Sequence, residues 1–513
     1  MASSHSEPEH QDLPVRDKTI AKQTPRLLYY GYDDSQQLYS YESLPSREEH
    51  ILNDLKERSG LPSYLLKMRM PLMLSPGEKI PPCRETPGEF EDINAYFSSQ
   101  IHTLFNAIKA YQESSIEVNG RPSQQDGAYL GIDVEHQSYD IYPECMHRDF
   151  LPRRLHLTDA ATLPLLPHVT EFELGTLSSY SSEHLRPVSL RTIVECMVRL
   201  PDLQEVNCPW LWERTLIAYN SPFLRTYTRE WEGPWRDSRH GFGQALDELR
   251  EQIPVSLRKV KFRFWLERYK FWDDQAVSMP NLVHPAVEDP VSAGFCIMAP
   301  CLEDLDLRAF LTPGLFQAQW PRMRRLRVEF HPCRPDGRWY FVGPRGENPN
   351  PDGYEVTEEH YPPTGPNEAD EQFDEGWEDN WVRGDEFQQD MFRTEPLAEQ
   401  IDPLLSAFAA ALKSMPVLEE AELFTHVSWN PSPERLEEYG DEAPYDAEYG
   451  GRRWGLKYIP GKDGVEGLVE WEVGAWRPPQ GVVKLFEDLG VDGRVKMVWK
   501  EFEFLDWNGD KRR

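Results

Sequence analysis

One pattern of apolar and polar positions recurs six times along this chain. Each copy begins at a proline and reads Pro-x-h-x-x-h-x-h, where h is apolar and x is any residue. The last two apolar positions flank a single intervening residue, which is typical of a strand that is buried on one face only. The leading prolines are Pro167, Pro201, Pro254, Pro300, Pro321 and Pro416, with Pro254 one residue out of step. The second apolar residues are predicted to face one shared core: Phe172, Val206, Val260, Leu305, Leu326 and Ala421.

The position between the last two apolar residues is charged in most of the copies. Glu173, Asp306, Arg327 and Glu422 are examples. Because successive side chains of a strand point to opposite faces, the pattern places these charges in solvent.

Helical periodicity precedes the proline in at least three copies. Proline disfavours a helical conformation in the residue before it, so each predicted helix ends there. The apolar stripes at i, i+3, i+4 spacing are Leu190, Ile193, Val194, Met197 and Val198; Phe242, Ala245, Leu246, Leu249 and Ile253; and Ile401, Leu404, Leu405, Phe408, Ala409 and Leu412. The repeating unit is therefore predicted to be a helix, a proline stop and a short strand.

A helix and a strand repeated in series predict an α/β fold of a particular kind, an irregular leucine-rich-repeat-like αβ solenoid. The leading prolines are 34, 53, 46, 21 and 95 residues apart. A regular array would keep to roughly 20–29 residues, so this one is expected to carry insertions. The alternative is an ordinary α/β fold whose strands happen to follow prolines.

The rest of the chain is divided by composition and periodicity. Residues 1–26 are predicted to be a disordered tail, and 27–88 an N-terminal segment. The repeats are expected over 89–345 and again over 396–513, where strand 468–473, helix 482–489 and strand 495–504 are predicted near the end. The end of the core is expected to be capped by Trp499, Phe502, Phe504 and Trp507. A helix over 92–111 with Asp92 as its N-cap, and a strand over 129–134, are predicted at the start of the array.

Residues 346–395 are predicted to be a disordered acidic insertion. They hold 16 acidic residues and two basic ones, Arg383 and Arg393, a net charge of −14. Mutual repulsion and few aliphatic residues keep such a segment from packing. The aromatic residues within it could fasten parts of it to the domain.

Composition excludes several classes of protein. The 513 residues include 87 acidic and 55 basic ones, a net charge of −32, which disfavours nucleic-acid binding. No run of 18 apolar residues predicts a membrane span, and the first residues lack the pattern of a signal peptide. Seven cysteines in 513 residues are too few for a disulfide scaffold, so a cytoplasmic or nuclear location is expected.

The sequence predicts no catalytic, cofactor-binding or metal-binding residues. Motifs for a nucleophile elbow, a phosphate-binding loop and a zinc protease are absent. Cys296 with Cys301, and Cys145 with His147, lack the spacing of zinc ligands. His331 and Cys333 could form a base and a nucleophile of a hydrolase, although the following Pro335-Asp336-Gly337 is typical of a turn in a hairpin.

Four segments resemble a group of uncharacterised filamentous-fungal proteins that are similar to F-box/leucine-rich-repeat proteins. They are 97–108, 163–172, 200–212 and 302–330. The resemblance implies repeats that hold a protein, and an N-terminal F-box that would bind the Skp1 adaptor of a ubiquitin ligase. The F-box pattern matches only in a degenerate form, at Leu44–Leu52 or Leu61–Leu66. The first match is one residue short, and Pro71 interrupts the second.

Three functions follow from these patterns. The first is a non-catalytic protein–protein interaction scaffold whose partner is unidentified. The second is an F-box-like substrate receptor of a Skp1-containing ubiquitin ligase, with its F-box near residues 44–75. The third is a hydrolase that uses His331 and Cys333.

Overall fold

A computed structural model of the protein describes most of residues 84–505 and two short segments before them. The described residues are 28–30, 63–70, 84–119, 127–136, 152–175, 186–209, 211–213, 231–265, 275–365, 368, 391–429, 431–445, 451–462, 464–490, 495–502 and 504–505.

These residues form seventeen strands and seven α-helices. The strands are β1 Leu28–Tyr30, β2 Ser63–Met70, β3 Ala128–His136, β4 Val169–Leu174, β5 Glu205–Cys208, β6 Lys259–Arg263, β7 Pro280–Asn281, β8 Asp304–Ala309, β9 Arg325–Phe330, β10 Phe341–Val342, β11 Tyr354–Glu355, β12 Glu395–Pro396, β13 Glu420–Ser428, β14 Gly451–Ile459, β15 Gly467–Glu472, β16 Val495–Trp499 and β17 Phe504–Leu505. The helices are α1 Pro87–Asn119, α2 Leu190–Met197, α3 Glu232–Glu248, α4 Pro290–Met298, α5 Ala398–Lys413, α6 Pro433–Tyr439 and α7 Gln480–Glu487.

Thirteen of the strands belong to one mostly parallel sheet. Its order is β1-β2-β3-β4-β5-β6-β8-β9-β13-β14-β15-β16, and β17 pairs with β14. All strands from β1 to β13 in this order run parallel, and β14 is antiparallel to both of its neighbours in that order. The chain is therefore of the mixed α/β class.

The six proline-led phrases form six neighbouring strands, β4, β5, β6, β8, β9 and β13. Their second apolar residues are direct lateral partners in one row across the sheet, in the order Phe172, Val206, Val260, Leu305, Leu326 and Ala421. All six are buried in the main core. A second row, two residues further on, runs Cys208, Phe262, Leu307, Val328 and Leu423. The shared core face expected from the phrase is confirmed.

Helices cover this apolar face in the order of the chain. α2 packs against α3, and α3 packs against α4. The next contacts run through a short 3₁₀ turn, Pro313–Gln317, to α5 and then to α7. The predicted helices ahead of Pro201, Pro254 and Pro416 are confirmed as α2, α3 and α5. In α4, Pro290 occupies the first turn and the Asp289 side chain accepts from the backbone N–H of Ser292 at 2.9 Å.

α1 is longer than its apolar stripe indicated. It begins at Pro87 rather than at Asp92, which lies inside it. The hydroxyl of Thr86 accepts from the backbone N–H of Glu89 at 3.2 Å, so Thr86 is the capping residue.

Part of the N-terminal segment belongs to the main sheet, which corrects the domain boundary at 88. Ser63–Met70 is strand β2, parallel to both β1 and β3. Tyr64, Leu66, Met68 and Met70 are all buried, and this alternation is a strand pattern. The second F-box match, Leu61–Leu66, therefore runs into a strand instead of forming a helix. The first match, Leu44–Leu52, lies outside the described residues, as do residues 1–26.

The acidic insertion is ordered at both ends, which corrects its prediction as disordered over the whole of 346–395. At the start, β11 pairs with β7, and Tyr354 Oη donates to Glu232 Oε1 in α3 at 2.9 Å. At the end, the buried Arg393 donates to the backbone oxygens of Gln275 at 2.9 Å and Phe341 at 3.3 Å. Aromatic hydroxyls and a buried arginine thus anchor a segment that composition alone marks as unpacked. Residues 366, 367 and 369–390 lie outside the described part.

Candidate functional site

The face of the sheet opposite the helices is lined by charged side chains in register. One row runs Glu173, Asn207, Lys261, Asp306, Arg327, Glu422, Lys457 and Glu470. These residues alternate along their strands with the buried core rows, so they project from the outer face. A second row, on the N-terminal side of β5 to β13, runs Glu205, Lys259, Asp304, Arg325 and Glu420.

In these two rows the sign of the charge alternates from strand to strand across the outer face. β6 is basic, β8 is acidic, β9 is basic and β13 is acidic, and Lys457 of β14 and Glu470 of β15 continue the series. We name eleven of these residues the alternating-charge face: Glu205, Lys259, Lys261, Asp304, Asp306, Arg325, Arg327, Glu420, Glu422, Lys457 and Glu470. Six are acidic and five are basic, so their net charge is −1 in a chain of −32.

Ion pairs join neighbouring strands along the face. Lys259 Nζ lies 3.2 Å from Glu205 Oε2, and Arg327 Nη1 lies 3.1 Å from Asp306 Oδ1. Lys457 Nζ lies 2.9 Å from Glu420 Oε1. Opposite charges on adjacent strands favour this pairing and would oppose a shifted register. The charges therefore help to fix the order of the strands.

Asp306 is a carboxylate of the face that is bound from both neighbouring strands. Its side chain accepts from Arg327 on β9 and also from Arg263 on β6. Burial alone would raise the pKa of Asp306, but the hydrogen bonds and charges of the two arginines outweigh it and hold the pKa below its ordinary value. Asp306 is therefore ionised across the neutral range.

An aromatic ring interrupts the charges on β13. The guanidinium groups of Arg327 and Arg453 lie 4.6 Å and 4.2 Å from the centre of the Phe424 ring, one on each neighbouring strand. Gly455 is the lateral partner of Phe424 on β14, and a Cβ on Gly455 would lie 2.6 Å from that of Phe424. The ring and both arginines are thus held together by cation–π contacts and by a glycine that leaves room for them.

A buried cluster of polar side chains lies at the C-terminal ends of the same strands. Arg308 Nε donates to Glu329 Oε2 at 2.8 Å, and His426 Nδ1 lies 3.3 Å from Glu329 Oε1. A cavity of about 20 Å³ beside them is lined by aromatic and polar side chains, including Trp265 and Trp339. A space of this size holds a water molecule and no organic substrate.

His331 and Cys333 lie next to this cluster, but their hydrogen bonds do not form a nucleophile–base pair. His331 Nδ1 accepts from the backbone N–H of Cys333 at 3.0 Å. The Cys333 thiol donates to the backbone oxygen of Arg334 at 3.3 Å, and the side chain is buried. The turn predicted at 335–337 is confirmed, since Gly337 adopts a φ of 81° and its N–H donates to Arg334 O at 3.0 Å. The sequence from His331 to Gly337 is thus accounted for by the turn that it forms.

The other cysteines named above are placed in the helical layer or outside the described residues. Cys296 lies in α4 and donates to the backbone oxygen of Gly314 at 3.4 Å, and burial raises its pKa to about 11. Cys301 follows the same helix. Cys145 and His147 fall in a segment that is not described. No set of three or more His, Cys, Asp or Glu residues in the described ranges could hold a metal ion.

An open cavity lies on the helical side. It has a volume of about 1420 Å³ and is bounded by α3, by α4 with the segment before it, and by the turn around Asp336. Two pairs of opposite charge lie at its border: Arg250 Nη2 is 2.8 Å from Asp247 Oδ1, and Arg334 Nη2 is 2.7 Å from Asp336 Oδ2.

Four charges of the outer face were predicted from the phrases, and the two lysines of β6 were missed. Glu173, Asp306, Arg327 and Glu422 were expected in solvent, and the register confirms that they share one face. The alternation of sign was missed because each phrase was considered alone. Aligning the phrases would have shown Lys259 and Lys261, then Asp304 and Asp306, then Arg325 and Arg327 in equivalent positions.

Comparisons with known proteins give no match among family models, curated proteins or solved structures. Within the described ranges, every helix is too short or too polar to cross a membrane.

Proposed function

We propose that this protein is a non-catalytic scaffold that binds another protein through the alternating-charge face. The observation that carries the proposal is the shared register of six proline-led strands. It gives one apolar row under the helices and one row of alternating charges on the opposite side. A broad face built on rigid neighbouring strands is suited to recognising a protein surface.

The proposal takes the architecture to be an irregular leucine-rich-repeat-like αβ solenoid. Strands and helices follow each other in the same spatial order as in the chain from β4 to β9, which supports this interpretation. At the start of each strand the same backbone bond recurs: Gln204 donates to Thr170, Arg258 to Gln204, Glu303 to Arg258, Arg324 to Glu303 and Glu419 to Arg324, all at 2.8–2.9 Å. Repeat proteins of this type bind partners on extended surfaces.

The charge distribution supports the same surface. The chain as a whole carries −32, whereas the eleven residues of the face carry −1. A partner that approaches this face avoids most of the repulsion that an acidic partner would meet elsewhere. From β5 to β15 the face spans six strand spacings, roughly 29 Å at about 4.8 Å each, which is the scale of a specific protein interface.

The proposal also includes a location in the cell. We expect the cytoplasm or the nucleus, because none of the five described cysteines forms a disulfide. The resemblance to F-box/leucine-rich-repeat proteins and the Skp1 adaptor as a partner stay predictions. Deleting residues 31–62 and measuring Skp1 binding tests the F-box match at Leu44–Leu52 separately from the face, since this deletion leaves β1 and β2 intact.

The direct test is co-purification from native cells with a matched control. The face variant is Lys259→Glu with Arg325→Glu, whose side chains are 53% and 62% exposed. The control is Lys109→Glu with Arg250→Glu, in the helical layer, at 36% and 56% exposure. Both change the net charge by the same amount. Quantitative mass spectrometry should find a defined protein that is reduced at least tenfold by the face variant only. Equal recovery with both variants would contradict the proposal.

A further inference from the structure

The three central strands of the face form a basic strip within an acidic protein. β6, β8 and β9 have nine outward positions, of which six are basic and three are acidic. They are Lys259, Lys261, Arg263, Asp304, Asp306, Arg308, Arg325, Arg327 and Glu329. The strip carries a net charge of +3, whereas the chain carries −32. We refer to these nine residues as the basic strip.

Lys259 and Arg325 reach further into solvent than the aspartates of the strip, whereas Arg263, Arg308 and Glu329 are buried at its C-terminal end, with side chains 11%, 8% and 2% exposed. The side chains of Lys259 and Arg325 are 53% and 62% exposed, whereas Asp304 and Asp306 between them are 26% and 24% exposed. The short aspartates therefore form the floor of the strip, and the long basic side chains rise from the strand on each side. An approaching molecule meets positive charge first.

Acidic strands limit the strip on both sides. Glu205 lies on β5 beside β6, and Glu171 and Glu173 lie one strand further. On the other side, Glu420 and Glu422 lie on β13 beside β9. From β6 to β9 there are two strand spacings, about 10 Å, and strands of five or six residues are roughly 17–20 Å long. An anionic ligand must therefore be narrow and must lie along the strands.

We infer that the basic strip binds a short acidic segment of the partner protein, extended along β8, with carboxylates placed between the basic side chains of β6 and β9. This inference rests on the proposed function, because it names the chemistry recognised by the same face. Arginine binds carboxylates through two parallel N–H donors, and lysine adds a point charge. A segment of about six residues matches the length of these strands.

The existing ion pairs of Lys259 and Arg325 do not prevent this binding. Lys259 pairs with Glu205 and Arg325 pairs with Asp304, and both lysine and arginine in these pairs are more than half exposed. Exposed pairs of this kind contribute little stability, so a guanidinium or ammonium group can share its donors with an incoming carboxylate.

The dimensions of the strip favour a peptide over a nucleic acid. A nucleic acid carries charge continuously along its backbone, so a strand longer than the strip would extend over regions of an acidic protein. A peptide can confine its charges to five or six residues. The acidic flanks on β5 and β13 thus repel a long polyanion more strongly than a short acidic segment that stays within the strip.

Fluorescence anisotropy with the full chain tests the inference. The probe is a rhodamine-labelled eight-residue peptide of alternating Glu and Thr, titrated at about 0.15 M salt. Its controls are a Gln/Thr peptide and an eight-nucleotide thymidine strand of the same labelling. The protein variants are Lys259→Glu with Arg325→Glu, the milder Lys259→Gln with Arg325→Gln, and the control Lys109→Glu with Arg250→Glu. Thermal melting confirms that each variant is folded.

The inference predicts that the Glu/Thr peptide binds the wild type at least tenfold more tightly than either control probe. The charge reversal should weaken its binding at least tenfold, the Gln variant should weaken it by a smaller factor, and the helical-layer control should leave it unchanged. If the reversal variant does not fold, the Gln variant decides. Equal binding of the Glu/Thr and Gln/Thr peptides, or an unchanged affinity in the face variants, overturns the inference.

Two further outcomes separate the inference from the function on which it rests. Tighter binding of the thymidine strand that is lost in the face variants overturns the acidic peptide as the ligand. A co-purified protein that is lost only in the face variant, together with no binding of the Glu/Thr peptide, leaves the scaffold function in place and overturns the acidic segment alone.

Discussion

The carboxylate of Asp306 accepts a hydrogen bond from Nη1 of Arg327 at 3.1 Å across β8 and β9. The residues just before them, Leu305 and Leu326, are lateral partners in the buried row on the other side of the same strands. One register therefore serves both faces: a shift by a single residue would bury these charges and expose the leucines.

Charge introduced into the buried row should destabilise the protein strongly. Leu305→Asp and Leu326→Asp each place a carboxylate in the core, and we expect each to lower the free energy of unfolding by about 3–5 kcal/mol. Urea unfolding followed by circular dichroism measures the loss. The control is Lys261→Asp on the outer face, expected to change stability by less than about 1 kcal/mol. Harmless substitutions at both leucines would show that the register is wrong.

The pKa of Asp306 predicts a pH dependence with a defined sign. Its pKa is lowered in the folded protein, so its stabilising contribution is present above the ordinary aspartate pKa of about 3.9 and is lost as the pH falls further. At pH 7, Asp306→Asn should lower stability by about 0.5–1 kcal/mol. The difference between wild type and variant should shrink from pH 5 to pH 3.5. A difference that grows on acidification would contradict this assignment.

The ordered start of the acidic insertion depends on Tyr361. Its hydroxyl donates to Asp237 Oδ2 at 2.7 Å and accepts from Arg236 Nη2 at 2.8 Å, both on α3. Tyr361→Phe removes both bonds and should make residues 354–361 cleavable by low concentrations of protease, with a loss of about 0.5–1.5 kcal/mol in stability. The control is Tyr458→Phe, which removes a bond to Leu489 O at the other end of the sheet. Equal cleavage of wild type and Tyr361→Phe would contradict the role of this contact.

The hydroxyl of Tyr361 should also lose its proton only at a pH well above that of an ordinary tyrosine. Burial, together with the hydrogen bond to Asp237, raises its pKa to about 12. The contact is therefore present below the ordinary tyrosine pKa of about 10 and is lost as the pH rises through the folded value. The protease assay at pH 7 and pH 9 should accordingly give the same protection of residues 354–361.

Thiol labelling addresses the hydrolase alternative. Cys333 is buried and its thiol donates to the backbone, so we expect it to react with a maleimide only after unfolding. The partly exposed Cys301 provides the internal comparison, because it should be labelled in the native protein. Mass spectrometry of labelled peptides locates the modified residues. If Cys333 in the native protein is labelled faster than Cys301, it is an activated nucleophile, and this result would support the hydrolase.

The sequence was most informative where local periodicity and burial agree. The buried row from Phe172 to Ala421 was predicted from two apolar positions that flank one residue in each phrase. Helix α5 was predicted from an apolar stripe of six residues. Strand direction could not be predicted in the same way. β14 is antiparallel to β13, and nothing in the residues of a single strand specifies which way it runs.

Other features depend on contacts that are distant in sequence. In β2, Tyr64, Leu66, Met68 and Met70 alternate with other residues as in a strand. The F-box-like match at Leu61–Leu66 predicted a helix there instead. The order at the ends of the acidic insertion comes from Arg236 and Gln275, more than 100 residues away along the chain. The alternating-charge face is a relationship among strands, so no single phrase of the sequence contains it.

A double-mutant cycle at Asp306 and Arg327 tests the register and the face together. The single changes are Asp306→Asn and Arg327→Gln, and the cycle compares their summed effect on unfolding free energy with that of the double variant. The control cycle pairs Arg327 with Glu173, four strand spacings away, or roughly 19 Å. We predict a coupling of about 0.5–1 kcal/mol for Asp306 with Arg327, and less than about 0.3 kcal/mol for Glu173 with Arg327. Additive effects at Asp306 and Arg327, or equal coupling in both cycles, would contradict the shared register on which the account depends.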